Sequence, residues 1–151
     1  MTTPSANPPV TSRLRVLLLD DDQFMLSVLE DMLADLGEFD VRCESDARRA
    51  LNTLASDAPD LLICDLSMPD MDGIEFMRAA AEAGFRGHVM LLSGMDEGVR
   101  RSAERLARVQ GLQMLGAYKK PISTPELRAA LDSLPRPGGE NVYNVTTLSG
   151  K

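Results

Sequence analysis

The chain has 151 residues, 44% of them hydrophobic and 26% charged, which is the balance of a soluble globular protein with room for one core. A net charge of −7 and a pI near 4.7 leave no basic face for nucleic acid, because phosphate contacts supply most of that affinity. No apolar run is long enough to span a bilayer, and MTTPSANPPVTS at the N-terminus lacks the apolar centre of a secretory signal, so a cytoplasmic protein is expected.

Residues 1–13 are rich in Pro, Ser, Thr and Asn and read as a disordered arm. LRVLLL at 14–19 is a short apolar strand that stops at three aspartates, Asp20, Asp21 and Asp22. Like charges side by side repel, and a buried unpaired carboxylate is costly, so a turn must solvate these groups or a cation must sit among them. Phe24, Met25, Val28, Leu29, Met32, Leu33 and Leu36 then recur at helical spacing up to a stop at Gly37. VRC at 41–43 predicts a second strand, and Ala47, Ala50, Leu51 and Leu54 mark a second helix.

LLIC at 61–64 is a third strand ending in Asp65, with a helix from about Gly73 to Ala83 behind it. HVMLL at 88–92 ends in Ser93 and leads to a helix from Asp96 to Val109. LQMLGAY at 112–118 reaches Lys119 and Lys120, then Pro121. Ser123, Thr124, Pro125 and Glu126 start a final helix that runs to about Leu134. From Pro135 a Pro/Gly break opens residues 135–151, read as a tail or linker stub. Met25, Met32, Met77 and Met90 fall on apolar faces and read as core. Cys43 and Cys64 lie in strand-like runs and read as buried, reduced thiols, and His88 is the single histidine.

Apolar strands alternating with helices predict an α/β fold: a five-stranded parallel sheet covered on both sides, with working residues beyond the carboxyl ends of the strands. Asp20, Asp21, Asp65, Ser93 and Lys120 would then share one sheet edge. Carboxylates suit an octahedral Mg²⁺, and a hydroxyl with an ammonium completes a place for a phosphoryl group.

Four ordered motifs, LLLDDD, ICDLSMPDMDG, LLSG and KKP, make residues 14–134 resemble the receiver domain of two-component response regulators. The resemblance implies a flavodoxin- or CheY-like fold with strand order 2-1-3-4-5. It implies that Asp65 is phosphorylated by a sensor histidine kinase or phosphotransfer protein in a Mg²⁺-dependent reaction. Metal contacts are implied for Asp20, Asp21, Asp65 and the carbonyl of Ser67, and roles on the phosphoryl group for Ser93 and Lys120. Pro69 and Gly73 would shape the loop after the acceptor. Phosphorylation would shift the face made by the last two helices and the fifth strand, controlling a downstream protein, an output domain or a homodimer, with no direct contact to nucleic acid or membrane.

Two features depart from the family pattern. Its usual switch aromatic, three positions before the lysine, is here Ala117, with Tyr118 one place later, where strand alternation points it to the other face. The 26 residues between Ser93 and Lys120 exceed the usual spacing, and with GLQMLGAYKKP they are similar to receivers joined to EAL-type cyclic-di-GMP phosphodiesterases. Two other readings stay open: an interaction module that works without phosphorylation, and a haloacid-dehalogenase-like phosphatase using Asp20 with Asp22 two places on. Against the latter, that family has Thr where Phe24 stands.

Overall fold

The structure, a computed structural model, describes residues 13–67 and 73–134. The expectations for the N-terminal arm, the C-terminal tail and Pro69 lie outside the described residues. The chain alternates β1 (Leu14–Leu19), α1 (Gln23–Leu36), β2 (Phe39–Glu44), α2 (Ala47–Ser56), β3 (Leu61–Asp65), α3 (Gly73–Glu82), β4 (His88–Ser93), α4 (Glu97–Val109), β5 (Gln113–Lys119) and α5 (Thr124–Asp132). The strands form one sheet in the order β2-β1-β3-β4-β5, every neighbouring pair parallel. This is the order the motifs implied.

Alternation along the inner strands divides the core in two. Leu17, Leu19, Leu62, Cys64, Val89 and Leu91 pack under α2, α3 and α4, meeting Ala50, Phe76, Met77, Ala103 and Ala107. Val16, Leu18, Leu61, Ile63, Met90 and Leu92 face the opposite way, onto Leu29 and Leu33 of α1 and Leu127 of α5. Burial of one such leucine contributes about 2 kcal/mol, so the continuous apolar runs of β1, β3 and β4 fix which strands are central. The helices begin at the carboxyl edge of the sheet, and Asp22, Asp46, Asp96 and Ser123 cap α1, α2, α4 and α5 with their side chains. Ser123 and Glu126 close a reciprocal capping box.

Some positions depart from the sequence reading. Cys64 is fully buried but Cys43 is exposed, because edge strand β2 is only partly covered by α1. The Cys43 thiol is pushed up to about 11 by desolvation and by Glu30, whose carboxylate oxygen is 3.8 Å away. Phe24 is 71% exposed, since the first turn of α1 projects beyond the sheet. Met77 and Met90 are core, whereas Met25 and Met32 are only half-buried.

Edge strand β5 carries a bulge. Val89 pairs with Met114 but Met90 pairs with Gly116, so Leu115 is the extra residue. Gly116 takes φ +153°, and an added Cβ would lie 3.2 Å from the Tyr118 ring and hydroxyl. Beyond the bulge, Ala117 packs on the α4 side and Tyr118 on the α1/α5 side. Tyr118 therefore does not stand where the family's switch aromatic would. The Gly116→Ala variant should lose about 1–2 kcal/mol through strain and displacement of the ring. In contrast Gly98→Ala, inside α4 with only Asp96 nearby at 3.4 Å, should gain about 0.5–1 kcal/mol. Denaturant melts of both variants check the opposite signs.

Candidate functional site

The strand order brings four chain-distant residues to one edge. Asp20 follows β1, Asp65 ends β3, Ser93 ends β4 and Lys120 follows β5, and these four strands are consecutive neighbours in the sheet. Asp20, Asp65 and Ser93 are buried, at 2%, 4% and 0% exposure, although all three are polar. Such burial requires partners, and each group has them.

Lys120 supplies the shared one. Its Nζ lies 3.1 Å from Asp20 Oδ2 and 3.4 Å from Asp65 Oδ2. The remaining oxygens accept from backbone amides: Asp20 Oδ1 from Asp22 N–H at 2.9 Å, and Asp65 Oδ1 from Ser67 N–H at 3.1 Å. Ser93 Oγ accepts from Met95 N–H at 2.9 Å, while its carbonyl accepts from Lys120 N–H at 2.9 Å. The amide of Asp20 is tied in turn to the Glu44 carbonyl of β2, at 3.1 Å.

The three adjacent aspartates thus do three different things. Asp20 is buried on Lys120. Asp22 caps α1, its carboxylate accepting from Phe24 N–H at 2.9 Å and from Met25 N–H at 3.4 Å. Asp21 stays exposed, yet it offers an oxygen within 4.8 Å of oxygens of both Asp20 and Asp65. The cap role engages one oxygen of the Asp22 carboxylate with the first turn of α1.

Burial is the main cause that raises the Asp65 pKa, and the Asp20 charge adds to it; the Ser67 amide and the Lys120 ammonium oppose the shift without cancelling it. For Lys120 burial works against the charged form, but the hydrogen bond to Asp20 and the charges of Asp65 and Asp20 outweigh it, so its pKa is raised. Lys120 therefore stays an ammonium at neutral pH. Around it three carboxylates meet one cation, an excess of negative charge built wholly from oxygen donors, which is the donor chemistry a hard divalent ion takes.

All the site side chains named from the sequence, Asp20, Asp21, Asp65, Ser93 and Lys120, meet at this edge. Ser67 meets them through its amide. The backbone groups of Asp22, Met95 and Glu44 escaped the sequence reading, since a peptide N–H or C=O leaves no trace in residue type.

Residues 16–132 match the response regulator receiver domain family. The cyclic di-GMP phosphodiesterase RocR of Pseudomonas aeruginosa is 33% identical over 119 residues, which cover 78% of this chain and 30% of RocR. The response regulator MprA of Mycolicibacterium vanbaalenii is 32% identical over 125 residues, covering 81% of this chain and 50% of MprA. This chain spans half or less of the length of these curated relatives. Among solved structures, a response regulator from Colwellia psychrerythraea superposes with a TM-score of 0.70 at 39% identity, covering 81% of this chain and 96% of that one. Motif order, strand order, site geometry and these matches agree, and the chain belongs to the response regulator receiver domain family.

Proposed function

We propose that this chain is a phosphoryl-accepting signalling switch, with Asp65 taking the phosphoryl group from a phosphohistidine on a sensor kinase or phosphotransfer protein. The observation that carries this reading is the Lys120 ammonium, 3.1 Å and 3.4 Å from two buried carboxylates at the sheet edge where Ser93 ends β4. An ionised Asp65 oxygen attacks phosphorus, a P–O bond forms, and the P–N bond breaks with its electron pair passing to the imidazole. The product is an acyl phosphate. Lys120 then exchanges part of its contact with Asp65 for a phosphoryl oxygen, and the Ser93 hydroxyl, whose oxygen already accepts from Met95, donates to another.

Asp20, Asp21, Asp65 and the carbonyl of Ser67 would hold Mg²⁺, which when bound offsets the charge of the phosphoryl oxygens. Movement of Ser93 and Lys120 shifts the face of α4, β5 and α5 between two populations. That face would then act on a downstream protein, on an output domain such as the longer relatives carry, or on a second copy of the chain. Within this reading the domain is no enzyme beyond its own phosphoryl transfer and slow dephosphorylation. It would work in the cytoplasm, and no helix among the described residues is long and apolar enough to cross a membrane.

Intact mass after incubation with acetyl phosphate and Mg²⁺ tests the proposal. The wild type should gain one phosphoryl group, Asp65→Asn none, and chelator should abolish the gain. No gain in either protein would favour an interaction module without phosphorylation, and a gain surviving in Asp65→Asn would point to Asp20.

Once formed, the phosphoprotein should decay slowly, because Met95, two places past Ser93, has no side chain able to orient a water; a half-life of seconds would contradict this. Uptake should also fall as pH is lowered through the Asp65 titration, which lies above the ordinary carboxylate value of about 3.9. The raised pKa has a stability counterpart. The folded state binds the Asp65 proton more tightly, so this contribution is present below about pH 3.9 and is lost as pH rises through the folded pKa. Without Mg²⁺, Asp65→Asn should therefore melt above the wild type at pH 7. The gap should close toward pH 4, and calorimetry across that range checks it.

A further inference from the structure

The Ser93 hydroxyl is held by a loop, and the loop is held by α4. Met95 N–H donates to Ser93 Oγ at 2.9 Å, and the carbonyl of the same Met95 accepts from Arg100 Nη1 at 2.6 Å. Arg100 is anchored from its other end as well, since its amide donates to the Asp96 carbonyl at 3.1 Å and Asp96 caps α4. Its charge is not spent elsewhere: on the same helix Arg101 pairs with Glu97 and Arg108 with Glu104, while among the described residues Arg100 makes no ion pair. Gly94, between Ser93 and Met95, has open space where a Cβ would be, so no side chain packs the loop between hydroxyl and clamp. On the facing strand Ala117 presents only a methyl to the cluster that contains Ala103 and Ala107 of α4.

We propose that Arg100 is a positioning residue for the phosphoryl switch. Its guanidinium clamps the Met95 carbonyl, Met95 N–H then fixes the resting place of Ser93 Oγ, and release of this clamp carries phosphorylation of Asp65 into α4. The inference rests on the phosphoacceptor reading and adds the route by which the hydroxyl reaches a helix. When Ser93 turns toward a phosphoryl oxygen, the Met95 peptide must follow or lose its acceptor. Either movement strains the Arg100 contact at the first turn of α4. By linkage, weakening that contact favours the phosphoryl-binding arrangement.

The test compares wild type, Arg100→Met and Arg100→Lys in the full chain. Methionine keeps the aliphatic stem without the donor, and lysine restores a donor for the Met95 carbonyl. Phosphoryl uptake from acetyl phosphate should be about fivefold faster in Arg100→Met, the shift expected from losing one exposed charge-assisted hydrogen bond, and within about twofold of wild type in Arg100→Lys. The Met95 amide resonance of Arg100→Met, without any phosphoryl donor, should move toward its position in the wild type bound to beryllofluoride and Mg²⁺. Equal uptake in wild type and Arg100→Met, a fast Arg100→Lys, or an unmoved Met95 amide would each overturn the inference while leaving the phosphoacceptor reading intact. Absence of uptake by the wild type would overturn both.

Discussion

Two buried carboxylates, Asp20 and Asp65, face one ammonium, Lys120, at 3.1 Å and 3.4 Å. Much of the rest of the molecule serves this contact. Each acid alone would be costly to bury, and the two together repel, so the site is tolerable only while a cation stands between them. Holding it there takes four strands in the right order. β1 and β3 must be neighbours to set the acids side by side, and β4 must separate β3 from β5 for Lys120 to arrive from the far side with Ser93 on its way. The backbone tie from Lys120 N–H to the Ser93 carbonyl fixes where the lysine leaves its strand. The same arrangement gives the site its excess of negative charge. That excess is carried wholly by oxygen donors, the chemistry that suits a hard divalent ion.

The periphery is built differently from the centre. β1, β3 and β4 are buried on both faces and leave little freedom, whereas β5 lies at an edge, carries a bulge and turns through a glycine at positive φ. The one-residue slip decides which helix each later side chain addresses, placing Ala117 toward α4 and Tyr118 toward α1 and α5. On the α4 side the strand therefore presents a small residue, Ala117, beside Ala103 and Ala107.

Most of the architecture was readable from residue types because the physics behind it is local or periodic. Continuous apolar runs of four to six residues alternating with helical patterns read as strands covered on both sides, and the apolar spacing in α1 and α2 as helices. The aspartate cluster, Asp65, Ser93 and Lys120 were legible because strand ends are marked by the change from apolar to polar. Less legible were positions where exposure depends on what a neighbour covers. Cys43 and Phe24 are hydrophobic, yet Cys43 lies on the partly covered edge strand β2 and Phe24 on the first turn of α1, and both stay exposed.

By itself the amino-acid order determined the elements, their parallel arrangement and the set of polar side chains gathered at one edge, since burial, periodicity and capping act over a few residues. Tertiary packing decided how those side chains divide the work. Which of the three consecutive aspartates can be buried depends on Lys120, 100 positions along the chain from Asp20. The tie of Ser93 to Arg100 through Met95 depends on backbone groups that every residue carries alike. Long-range pairing and backbone hydrogen bonding are properties of position in space, and no local pattern encodes them.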